Sequence, residues 1–156
     1  MNQLGRTLVV VAGGTVGTAA REALSLAVPP AAGVAWVIMA INVVGAFALG
    51  WLLDGLALRA ASGRGSLAVV RLLLGTGFMG GFTTYSTLSL VTSQLFDDGR
   101  MLTAIAYALG TVLLGLVGAW LGMRVARAIH TRAGHRSGNQ TPAVQTPADH
   151  LPGADR

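Results

Sequence analysis

Four long apolar blocks dominate the sequence, running from about Leu8 to Val28, Val34 to Leu58, Leu67 to Phe96 and Met101 to Ala128. Each holds roughly the 20 apolar residues that a helix needs to cross the hydrocarbon of a bilayer. In lipid a segment must satisfy its own backbone hydrogen bonds, so helices are the form open to such blocks. Composition agrees, with 53% of residues hydrophobic and 11% charged, against roughly 25% charged in soluble domains. So few charges cannot cover a water-facing surface. The expected fold is an all-α membrane protein with four transmembrane helices in one domain, residues 1–129.

The separators are short. Pro29-Pro30 and Gly33 end the first block, Ala60 to Gly65 part the second from the third, and Asp97-Asp98-Gly99-Arg100 precede the fourth. Connections this short make neighbouring helices antiparallel. Residues 130–156 lack apolar periodicity and are expected to form a disordered cytoplasmic tail, because they cannot bury enough surface to offset their ordering entropy. His130, His135 and His150 lie in or beside it and read as solvated side chains rather than metal ligands. A cleaved signal peptide is disfavoured, since the apolar run passes through Gly13-Gly14 to Arg21 with no clear cleavage site. Gly13-Gly14-Thr15-Val16-Gly17 follows an apolar stretch, but its G-G-x-x-G spacing is not a dinucleotide fingerprint.

The net charge of +5 contains no Lys. With four spans both termini share one side, and that side collects Arg6, Arg59, Arg64, Arg71, Arg124, Arg127, Arg132 and Arg136. The other side has Arg21 and Arg100, with Glu22, Asp97 and Asp98 nearby. The positive-inside rule then places both termini in the cytoplasm of a multi-pass cell-membrane protein. No basic face interleaved with aromatics suggests nucleic acid, and the absence of cysteine excludes disulfides and thiolate metal sites.

Gly13/Gly17, Ala46/Gly50 and Gly118/Gly122 are small-residue pairs at spacing four, suited to close helix contact. Polar residues inside the blocks need another explanation. Asn42 lies mid-block, where its amide needs both a donor and an acceptor partner, and a packing bond serves as well as a pore role. Thr83, Thr84, Tyr85, Ser86 and Thr87 follow paired glycines, Gly80-Gly81, in the middle of the third block. That cluster predicts a helix break lining a wet cavity, with carbonyls for a hard cation and hydroxyls and amides for an anion. Tyr107 and Thr111 share a face of the fourth block at spacing i, i+4, although Tyr107 could equally belong to an interfacial belt. Arg21 either snorkels to the interface or lends positive potential to an anion entrance.

The segments Gly13-Gly14-x-x-Gly17-x-x-x-Arg21, Asn42-x-x-Gly45 and Gly77-Phe78-Met79-Gly80-Gly81-Phe82-Thr83-Thr84-Tyr85-Ser86-Thr87, in that order, resemble the motifs of the Fluc/CrcB fluoride channels. The similarity covers about residues 8 to 125, and the third motif is the specific one. The resemblance implies an antiparallel dual-subunit channel with two fluoride pores and a structural sodium ion at the subunit interface. It assigns the sodium to the backbone carbonyls of Gly80 and Thr83, the fluoride pore to Asn42, Tyr85, Ser86, Thr87, Tyr107 and Thr111, and the vestibule to Arg21. Such a channel exports cytoplasmic fluoride passively and lowers its toxicity. No catalytic constellation is visible, and the chain is not expected to be an enzyme.

Two features depart from that family. Its phenylalanine pair stands here as Tyr85 and Leu88, and its dual-topology homodimers need a balanced charge distribution, whereas this chain is strongly biased. These departures favour one half of a heterodimer paired with an oppositely oriented homologue over a homodimer. The rival readings are a proton-coupled exporter of the small multidrug type and a non-conducting partner subunit. The exporter needs an acid within the first helix, where only Glu22 at its end and Asp54 near the end of the second block are available.

Overall fold

The computed structural model describes residues 2–61 and 67–138, with side chains described as far as residue 131. Among these the chain is helical, and its elements are α1 (Gln3–Ala27), α2 (Trp36–Ala61), α3 (Ala68–Val70), a π-helical stretch (Arg71–Phe78), α4 (Met79–Phe82), α5 (Tyr85–Asp97) and α6 (Met101–Gly138). Stretches Trp36–Ala61 and Met101–Thr131, with mean hydropathy 2.1 and 2.0, are long and apolar enough to cross a membrane.

Helix α1 begins before the first apolar block because Asn2 caps it, its Oδ1 accepting from the Gly5 amide at 3.0 Å. After Pro29-Pro30 a tight turn pairs Ala31 with Val34 through bonds of 3.1 and 3.0 Å. Ala32 and Gly33 sit there at φ 53° and 74°. Arg100 clasps this turn, donating from Nη1 to the Ala32 carbonyl at 2.7 Å. The α1–α2 and α5–α6 connections therefore meet at one end of the molecule.

Two tight helix pairs form the body. Helix α1 lies on the π-helical stretch and α4, where Gly13 and Gly17 face the carbonyls of Leu73 and Phe78 so closely that a Cβ would collide. Helix α2 lies along α6, where Gly50 faces the Ala119 carbonyl and Gly122 the Phe47 carbonyl in the same way. The small-residue pairs thus serve packing within the chain, by van der Waals contact between backbones. A small apolar cluster of Val34, Leu88, Val91, Leu95, Ala104 and Tyr107 joins the turn before α2 to α5 and α6, with Met39 of α2 packed against it. Many large apolar side chains face outward instead, Leu102, Leu113 and Leu116 being 81%, 60% and 64% exposed. An apolar exterior around a slender core suits lipid as the solvent.

Two boundaries differ from expectation. The π-helical stretch has no signature in the apolar pattern, since its i→i+5 bonding is a rare local adjustment. Helix α6 continues to Gly138, past the expected end at about residue 128 and into the segment expected to be disordered. An established helix needs no new nucleus to lengthen, and no proline interrupts before Pro142. The remainder of the expected tail, residues 139–156 with His150, lies outside the described residues.

Candidate anion path

Helix α4 stops at Phe82 and α5 starts at Tyr85, leaving Thr83 and Thr84 extended at ψ 151° and 124°. In a continuing helix the Thr84 amide would bond to the Gly80 carbonyl. Here it bonds to Asn42 Oδ1 at 2.8 Å, while Asn42 Nδ2 donates to the Thr84 carbonyl at 3.0 Å. The Asn42 carboxamide thus satisfies both backbone groups of a buried residue, much as a neighbouring strand would. Gly45 lies one turn further along α2, and a Cβ there would collide with Thr83 Cγ2. The spacing Asn42-x-x-Gly45 puts the clamp and the gap it closes on one helical face.

Thr84 is also the hub of a hydroxyl cluster. Its Oγ1 accepts from the Thr87 amide at 3.2 Å and lies 3.1 Å from both Ser86 Oγ and Thr87 Oγ1. A hydroxyl has one proton and two lone pairs. With one lone pair used by the amide, Thr84 accepts from one neighbouring hydroxyl and donates to the other. That other hydroxyl, Ser86 or Thr87, keeps its own proton for an outside acceptor. The carboxamide of Asn42 likewise has a second N–H beyond the one bonded to Thr84. These donors are neutral and stand at the positive N-terminal end of the 13-residue helix α5.

An open cavity of about 210 Å³ adjoins this cluster, with Arg21, Ser25, Ala35, Ile38 and Thr87 among its lining residues. Arg21 Nε is buried and has no hydrogen-bond partner among the described residues. Glu22, exposed, stands at the same cavity. The cavity wall leads to Tyr107, whose hydroxyl donates to the Ala35 carbonyl at 3.2 Å. Its ring meets Trp36 edge-on at a centroid distance of 6.2 Å. Thr111 Oγ1 donates back to the Tyr107 carbonyl at 2.7 Å. Both residues face the interior, so Tyr107 does not belong to an aromatic belt.

Asn42, Ser86 and Thr87 therefore each bond to Thr84, and Thr87 shares the cavity wall with Arg21. Tyr85 stands apart: it is 82% exposed and touches none of them through a hydrogen bond among the described residues. Leu88, three residues on, turns inward and packs beside Tyr107. Gly80 and Thr83 flank the end of α4. Gly80 faces open space, since a Cβ there would meet nothing within 4 Å. Because Asn42 takes the Thr84 amide, the Gly80 carbonyl lacks its helical partner, as do carbonyls at any helix end. Neutral oxygens exposed in this way suit a hard cation.

Thr84 is the residue whose importance the sequence signalled least directly. The signal was present in its position as a hydroxyl residue just before a helical run, the preferred N-cap.

The chain matches the profile of the CrcB-like protein, Camphor Resistance (CrcB) family over residues 8–123. It belongs to the CrcB family. Relatives include the fluoride-specific ion channel FluC 2 of Leifsonia xyli, 43% identical over 127 residues, which are 81% of this chain and 87% of that protein. The fluoride-specific ion channel FluC 1 of Cutibacterium acnes is also 43% identical, over 78% of this chain and 85% of its own. FluC of Geobacter sulfurreducens is 42% identical over 77% of this chain and 95% of its own. The CrcB match ends before the last part of α6, so the extension to Gly138 lies beyond the family's shared region.

Proposed function

We propose that this CrcB chain is a subunit of a fluoride-selective channel that lets cytoplasmic fluoride leave passively. The arrangement that carries the proposal is the Asn42–Thr84 clamp with its hydroxyl cluster, opening on the Arg21 cavity. Fluoride is small and strongly hydrated, so a pore must replace its water with several donors at once. Neutral amides and hydroxyls do this without the trapping that a buried cation would cause. Relatives named as fluoride-specific channels support the choice of anion. Nothing in the site calls for catalysis, and the protein is read as a channel rather than an enzyme.

In this reading the chain crosses the membrane four times. The spans are α1, α2, the run from α3 through α5 with its break at Thr83–Thr84, and α6, each about 30 Å or more in length at 1.5 Å per residue. The Arg distribution orients both termini to the cytoplasm. A second, antiparallel subunit completes two pores, and the exposed Tyr85 is available to it. Carbonyls of Gly80 and Thr83 from each subunit would hold a sodium ion between them. The Arg bias favours a homologous partner of opposite orientation, in which case one pore can be degenerate.

A proton-coupled exporter fits less well. Asp54, the carboxylate deepest in a span, is engaged by Arg127 in a two-pronged ion pair of 2.9 and 3.2 Å. Efflux from proteoliposomes, followed with fluoride and chloride electrodes, tests the proposal. Fluoride release without chloride release is expected, from this chain with its partner or alone. No fluoride flux in either case refutes the channel, and robust flux from the chain alone refutes the obligate heterodimer.

A further inference from the structure

At the end of the molecule remote from the Arg100 clasp, α2 and α6 border an open groove of about 280 Å³. Its wall includes Trp51, Leu52, Leu56 and Ile129, and its rim holds Arg59 and His130. The groove runs along α2 from Trp51 to Arg59, a rise of about 12 Å. That length suits the upper part of an acyl chain, and the Arg59 guanidinium lies where its headgroup phosphate would be, with the His130 imidazole beside it.

The rim is positive. Asp54, the acidic residue nearest on α2, already carries Arg127 in its ion pair. Arg59 itself is exposed and makes no hydrogen bond or ion pair among the described residues. An apolar slot with a cationic mouth is complementary to a single molecule bearing a chain and a negative head. The geometry points to a binding site for an anionic phospholipid, its acyl chain against Trp51 and Leu56 and its phosphate at Arg59 and His130. This rests on the membrane reading above, and it does not require fluoride conduction.

The full chain in vesicles tests it, with Trp36→Phe and Trp120→Phe leaving Trp51 as the reporting indole. Brominated phosphatidylglycerol is expected to quench Trp51 with about five-fold higher relative affinity than brominated phosphatidylcholine, the effect of one basic residue at a membrane surface. Arg59→Gln should bring the ratio close to one, and Arg59→Lys should restore it. Equal quenching by the two lipids overturns the site, as does a preference that survives Arg59→Gln. Quenching by neither lipid overturns it too, because the groove is then covered by a second copy of the chain. Loss of the preference on adding inorganic phosphate alone would assign the rim to a soluble anion and overturn the lipid. A chain that conducts no fluoride can still show the preference, so the two proposals fail separately.

Discussion

Replacing Asn42 with Ala removes both bonds to the Thr84 backbone, which has no water to turn to at 7% exposure. At about 1 kcal/mol net per hydrogen bond the loss is about 2 kcal/mol, and it grows if the buried amide and carbonyl stay unpaired. Two kcal/mol is about thirty-fold in an opening equilibrium. Hydrogen exchange of the Thr84 amide, measured on the protein in lipid nanodiscs, should therefore accelerate about thirty-fold or more. The neighbouring helical amides of α5 should change less, because their bonds are local. Asn42→Asp should behave almost as badly: one carboxylate oxygen still accepts from the amide, but the other meets the Thr84 carbonyl without a proton to donate. The same variants should lose fluoride flux, since the break they loosen presents the hydroxyl donors. Unchanged exchange at Thr84 in Asn42→Ala would refute the clamp.

Three further outcomes follow from contacts elsewhere. Gly17→Ala drives a methyl into the Phe78 carbonyl, whereas Gly14→Ala finds its nearest new neighbour, the Gly77 carbonyl, at 3.8 Å; the first should cost about 1–3 kcal/mol and the second little, read by resistance to thermal aggregation in detergent. Thr84→Val deletes the N-cap and hydroxyl hub and should cost about 1 kcal/mol, with impaired fluoride efflux, while Thr84→Ser should preserve both. Asp54→Asn removes the charged partner of Arg127, which makes no bond to the hydroxyl cluster, so electrode-measured fluoride flux should be unchanged.

Much of the architecture was legible because it depends on local pattern. The apolar blocks marked the long helices, and paired small residues marked the seams where backbones touch. Gly80-Gly81 before a run of hydroxyls pointed to the interruption at Thr83–Thr84. Asn42 is ambiguous in the sequence between packing and pore; its carboxamide serves the break at Thr84 and keeps a second N–H beyond that bond. Other features depend on tertiary context. The π-helical stretch is set by its packing against α1, which no single-segment periodicity encodes. The inward turn of Leu88 and the outward one of Tyr85 follow from where α5 docks on α6. The extension of α6 carries no apolar periodicity and contains Gly134 and Gly138, so nothing local marks it; it lengthens a helix that is already nucleated.

The central claim, a selective anion path through this CrcB chain, is tested most directly by the reversal potential in a planar bilayer. Channels containing the chain, with its homologous partner if one is required, should reverse near the fluoride equilibrium potential. A tenfold fluoride gradient should shift that potential by about 59 mV, and an equal chloride gradient should not move it. A potential that followed chloride or protons, or membranes that stayed silent with every partner, would contradict the account.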